Sequence, residues 1–253
     1  MTGMFARVLG LGAILAGMAL GERVSVPLSD PSRPPLIKVA TVNGSIRVRT
    51  HERKDVVIVE VGDEAVRRSK DGMREIGGGR TGLVIEEEQN VVKVSASRTN
   101  EAISVWVPAR ASLNLRAVNG QGIEVEAVTG DIDVETVNGG AQIRDVSGSV
   151  VAHSVNGQLL VTLSQVTPGR PLSFSSLNGR LDVTLPAAVR AELKVHTFHG
   201  RITSDFEAVT NAERQSERRN DKRRVFTIQL NGGGSEIAFR SMNGPIFIRK
   251  GGN

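Results

Sequence analysis

The chain has 253 residues, with 32 Lys and Arg against 27 Asp and Glu, and no Cys. A hydrophobic fraction of 39% and a charged fraction of 23% are those of a globular protein and exclude a collagen-like, wholly disordered or multi-span membrane chain. Zero Cys excludes a disulfide scaffold, a thiol nucleophile and a Cys-bound metal or cluster, and an interspersed net charge of +5 leaves no footprint for nucleic acid.

The N-terminal segment reads as an address. Arg7 precedes an apolar run from Val8 to Gly21 that is too short to span a bilayer comfortably and too Gly-rich for a core helix. Ala19 and Gly21 offer small side chains where signal peptidase needs them, so residues 1–21 are expected to be a signal peptide cut before Glu22. An uncleaved anchor or a frayed apolar helix is the alternative. No later segment resembles a membrane span, so export would leave a soluble or surface-associated protein. Residues 22–36 are expected to be a linker, and one β domain is expected over 37–253.

Strand-like runs begin early, in Val56-Val57-Ile58-Val59-Glu60-Val61 and Val91-Val92-Lys93-Val94, and are expected to form the first layers and a cap. Between them, Asp63 to Ile76 spaces Val66, Met73 and Ile76 as a short helix would, ended by Gly77-Gly78-Gly79. This is the first expected insertion, near 63–80.

A repeat then dominates. Val42-Asn43-Gly44, Val118-Asn119-Gly120, Val137-Asn138-Gly139, Val155-Asn156-Gly157, Leu177-Asn178-Gly179 and Met242-Asn243-Gly244 are one motif, and Phe198-His199-Gly200 is a variant. A second series, Val128-Thr129-Gly130, Val146-Ser147-Gly148 and Val166-Thr167-Pro168-Gly169, alternates with it. Successive Asn-Gly glycines are 19, 18, 22 and 21 residues apart from Gly120 to Gly200, then 44, so one unit is 18–22 residues with two turns. After most of these glycines, apolar residues alternate with polar ones, as in Asp131-Ile132-Asp133-Val134, which makes a strand with one buried face. Gly at each corner is expected to supply a positive φ, and Asn to tolerate one. Gly122 adds one residue and reads as a bulge.

Two architectures fit short strands at this spacing: an antiparallel meander of hairpins, for which Asn-Gly is a strong signal, or a parallel β-solenoid. Strict alternation of corner chemistry favours the solenoid, a flattened two-sheet β-helix, right-handed on the general preference of parallel crossovers. Stacked coils would place Asn119, Asn138, Asn156 and Asn178 in an amide ladder, with Asn43 and Asn243 in the same series. Ile132, Val134, Ile143, Val150, Leu159, Val161, Leu181 and Val183 would fill a narrow core.

The second insertion, Glu207 to Arg224, is charged. Arg214, Arg218, Arg219, Lys222, Arg223 and Arg224 form a candidate binding stretch for an anionic polymer or lipid head groups, against a plain reading as a solvated loop or helix.

The run from Val105-Trp106-Val107-Pro108-Ala109 to Ala117-Val118-Asn119-Gly120, the tandem Val-Asn/Thr/Ser-Gly corners and the closing Ser241-Met242-Asn243-Gly244-Pro245-Ile246-Phe247-Ile248 resemble the bacterial putative-adhesin family of β-strand-repeat domains of unknown function. The resemblance spans about Val39 to Arg249 and lies in repeat syntax. It implies a secreted, periplasmic or cell-surface β-solenoid. His199 in place of Asn, and the polar stretch after it, depart from the pattern.

No constellation of residues points to chemistry. His196 and His199 lie three apart on a strand and so face opposite ways. Ser164, Ser175 and Ser176 lack a nucleophile-elbow context, and the Gly runs lack a following Lys-Ser/Thr. Glu124, Glu126, Asp131, Asp133 and Glu135 crowd one region, which raises Ca²⁺ or a carboxylate pair, but they sit on strand faces and the chain has one Trp and no Tyr for sugar stacking. The expectation is a protein without catalytic, cofactor or metal residues, binding a cell-envelope component or another protein. Self-assembly into a structural filament, and an envelope-glycan enzyme on the same scaffold, are the alternatives.

Overall fold

The computed structural model describes residues 23–62, 83–96, 100–207, 209–211 and 224–252. The expected leader, the helix over 63–76, Gly77 to Gly79, and Arg214, Arg218, Arg219, Lys222 and Arg223 lie outside the described residues.

Alternating apolar residues build twenty strands and, among the described residues, no helix. In chain order these begin with β1 (Arg23–Pro27), β2 (Leu36–Thr41), β3 (Ile46–His51), β4 (Val56–Val61), β5 (Leu83–Glu88), β6 (Val91–Ala96) and β7 (Ile103–Pro108). The middle holds β8 (Ser112–Asn119), β9 (Ile123–Glu126), β10 (Thr129–Asn138), β11 (Ala141–Asn156), β12 (Leu159–Val166), β13 (Leu172–Ser176) and β14 (Leu181–Leu185). The last are β15 (Ala191–Thr197), β16 (Ile202–Ser204), β17 (Val209–Asn211), β18 (Arg224–Leu230), β19 (Ser235–Ser241) and β20 (Ile246–Lys250). The segment expected to be a linker thus carries a strand: β1 pairs antiparallel with β4, placing Val26 against Val57.

The strands form a mixed, nearly closed, barrel-like sheet around one core. On one face β6, β2, β8, β10, the second half of β11, β13, β19 and β15 pair in that order, all parallel. On the other, β7, β3, β9, the first half of β11, β12, β14, β20 and β16 do the same. Spatial order departs from chain order at both extremes: β2 and β3 lie between later strands, and β19 and β20 lie between earlier ones.

A purely parallel sheet is corrected at the ends. β5–β6, β4–β7, β1–β4, β15–β18 and β17–β18 are antiparallel. The cause at one end is local: Gln89 (φ 52°) and Asn90 (φ 68°) close a two-residue hairpin, the geometry whose twist matches paired strands. Arg224 opens β18, opposite Thr197 of β15.

The eight core residues expected from the middle repeats are all buried. In-register pairing stacks like on like: Val134 beside Leu115 and Ala152, then Phe174 beside Phe239 with ring centroids 5.6 Å apart. The Thr/Ser-Gly corners differ from the expected tight turns. β11 runs unbroken through Ser147-Gly148 for 16 residues, bent with positive φ at Asp145 (54°) and Gly148 (110°). Gly122 adds its residue to the turn, before β9 begins at Ile123, rather than within the strand.

Candidate functional site

The Asn-Gly corners stack into one edge that runs the length of the parallel region. Each Asn side chain donates from Nδ2 to the Oδ1 of the Asn before it: Asn119 to Asn43 at 3.4 Å, Asn138 to Asn119 at 2.7 Å, Asn156 to Asn138 at 2.9 Å, Asn178 to Asn156 at 2.9 Å and Asn243 to Asn178 at 2.8 Å. His199 occupies the next place, its backbone N–H donating to the carbonyl of Met242 at 3.0 Å.

The glycines of this edge serve a different purpose from the expected one. Gly44, Gly120, Gly139, Gly157, Gly179, Gly200 and Gly244 are absent from the residues of positive φ. What demands Gly is the approach of the next layer: a Cβ on Gly179 would overlap the carbonyl oxygen of Gly157, and one on Gly244 that of Gly179. The absent side chain lets successive corners stack at strand spacing.

Beneath the amides lies a second row that the Φ-Asn-Gly motif alone does not reveal. Thr41, Thr136, Ser154, Ser176, Ser241 and Thr197 each stand three residues before a corner Gly and are buried. Thr136, Ser154 and Ser241 donate to the carbonyls of Gly139 (3.2 Å), Gly157 (3.2 Å) and Gly244 (2.7 Å), and Thr197 accepts from the Gly200 N–H at 3.0 Å. In those four corners the short hydroxyl pairs with a backbone group of the glycine, as buried polar groups require, whereas Thr41 Oγ1 is buried without a partner. The signal was in the sequence as Ser/Thr-Φ-Asn-Gly, with Ala117 the exception.

The apolar member of each triplet points outward. Val42, Val118, Val137, Leu177 and Met242 are 38–44% exposed and account for five of the seven large hydrophobic residues exposed among those described. With partly buried Val155 and Phe198 they form a continuous apolar ridge beside an uncharged amide ladder.

The outer faces carry charge in pairs. Arg47 and Glu124 are 3.7 Å apart, Arg49 and Glu126 4.0 Å, Arg116 and Glu135 3.3 Å, and Arg170 and Asp131 3.1 Å, while the Asn114 amide donates to Asp133 at 2.9 Å. Each crowded acid therefore has a cationic or amide neighbour, and no three His, Asp or Glu converge as metal ligands would among the described residues. Burial pushes the Asp133 carboxyl up, with Glu135 adding repulsion against the pull of Arg116. On the second face Asp182, its side chain 10% exposed, is gripped by Arg180 and by Arg249 (2.6 Å), and both guanidinium groups lie over Phe247, at 4.3 and 5.5 Å from its centre. Burial would raise Asp182, but the hydrogen bonds from Arg249 and Arg180 hold it below the ordinary carboxylate range.

His153 Nδ1 and Ser175 Oγ lie 2.6 Å apart across neighbouring strands. They sit on an open strand face, and Glu135, next in the same row, is paired with Arg116.

No family model and no curated protein matches the chain. Among solved structures, a "putative cell adhesion protein" from Clostridium sporogenes aligns over 91% of this chain and 100% of its own, at 9% identity and a TM-score of 0.49.

Proposed function

We propose that the chain is an exported, non-enzymatic, adhesin-like β-solenoid that binds a cell-envelope component or another protein through exposed side-chain rows. The reading of export rests on the leader-like residues 1–21, and that of a solenoid on the two parallel ladders with Asn-Gly corners stacked between them. The observation that carries the function is the apolar ridge. Soluble monomers seldom leave contiguous apolar surface open unless something covers it, and this ridge is held in place by the Gly, hydroxyl and amide rows beneath and beside it. Recognition would come from many weak contacts on a rigid support.

Co-sedimentation of the purified chain with isolated envelope fractions tests this. The parent is expected to pellet only with envelope, and Val137→Lys combined with Leu177→Lys to stay in solution at an unchanged melting temperature, since both side chains already face water. Equal pelleting of the double variant, or a parent that never pellets, overturns the proposal.

A further inference from the structure

The first face holds a depression near its N-terminal end that the apolar ridge does not include. Two outward rows cross it. In the first, Glu86, Lys93, Lys38 and Asn114 are successive register partners on β5, β6, β2 and β8. In the second, Val84, Ser95, Ala40 and Arg116 are. Small side chains at Ser95 and Ala40, surrounded by longer ones, leave a cavity of about 270 Å³.

Its charge is unusual for this molecule. Lys38 and Lys93 are directly opposite on neighbouring strands, an arrangement that destabilises a sheet; the like pair Glu192 and Glu236 also lies opposite, but there Lys194 bonds Glu236 at 2.5 Å. Neither lysine enters an ion pair with a described residue. Glu86 neighbours Lys93 in register without bonding to it, Asn114 gives its amide to Asp133, and Arg116 is shared with Glu135. Three cations and one acid therefore line a concave site, with an apolar wall at Val84 and the hydroxyl of Ser95 in its floor.

We propose that this depression binds one anionic sugar unit, its carboxylate or phosphate between Lys38 and Lys93 and its ring against Val84 and Ser95. The inference rests on the reading of strand faces as binding surfaces and narrows it to one ligand chemistry. The anion would relieve the lysine repulsion, and charge-assisted hydrogen bonds would orient it.

Isothermal titration of the full chain with glucuronate, glucose 1-phosphate and uncharged glucose distinguishes the carboxylate and phosphate sources. At least one anion is expected to bind, to be displaced by added salt, and to weaken about tenfold in Lys38→Gln and in Lys93→Gln, the loss of one charge-assisted contact. Without ligand, each variant should melt above the parent, and saturating anion should close that gap. Glucose binding as tightly as the anions, no binding by either anion, or variants that match the parent in affinity overturns the inference. A Lys38→Gln protein that loses the anion yet still pellets with envelope upholds this site and leaves the ridge as the envelope contact; anion binding by a chain that never pellets sinks the envelope proposal alone.

Discussion

At the scale of single residues, two kinds of Gly do different work. Gly179 has an ordinary φ but no room for a side chain, whereas Gly169 has φ 74° and open space around it. Gly179→Ala must push the Gly157 carbonyl away and disturb a stack fixed from both sides, so it should lower stability by about 2–3 kcal/mol, as overpacking does. Gly169→Ala meets only the left-handed backbone penalty of about 1 kcal/mol. Urea unfolding of both variants checks the order; equal losses would mean that close approach is not what selects Gly at the Asn-Gly corners.

At the scale of elements, neighbouring strands are joined by what their side chains exchange across the register. The Arg180–Asp182–Arg249 cluster ties β14 to β20 beside the core positions Val183 and Ile248. Because Asp182 is held below its ordinary value, its contribution is complete above about pH 4 and is lost as the pH falls through the lowered value. Asp182→Asn should therefore lower stability by about 1 kcal/mol at neutral pH and flatten the acid limb of the melting curve, measured by calorimetry from pH 2 to pH 7. Much of the element scale was legible in the sequence. Alternation named the buried residues, and the regular return of Asn-Gly pointed to neighbours that share amide bonds. Two features were not legible. Ser147-Gly148 carries the signature of a corner, yet positive φ at Asp145 and Gly148 only bends the chain there without ending the strand, so β11 reads as two strands. The Asn-Gly triplet is a complete turn signal by itself, so nothing in it points to the preceding Ser or Thr whose hydroxyl bonds the glycine carbonyl at Gly139, Gly157 and Gly244.

At the scale of the whole molecule, the antiparallel strands decide how the stack stops. Among the described strands β5 forms one outer edge, and it exposes Glu86 and Glu88, charges of the kind that keep open edges from pairing with another chain. Glu86→Val with Glu88→Val should produce concentration-dependent association in sedimentation velocity at loadings where the parent sediments as a single species; unchanged sedimentation of the variant would show that these charges do not guard the edge. The order of strands was hidden from sequence because repeats specify what a layer looks like, not which layer it joins. That order bears on synthesis. The pair β2–β3 is complete at His51, yet one of its neighbours, β8–β9, ends at Glu126. At ribosomal speeds of about 5–20 residues per second the early pair waits roughly 4–15 s for that neighbour. The last pair, β19–β20, must slip between β13–β14 and β15–β16, which emerge before it. Layers from β8 to β14 can add one at a time as the chain lengthens, so assembly should begin in the middle and be closed by intercalation at both flanks.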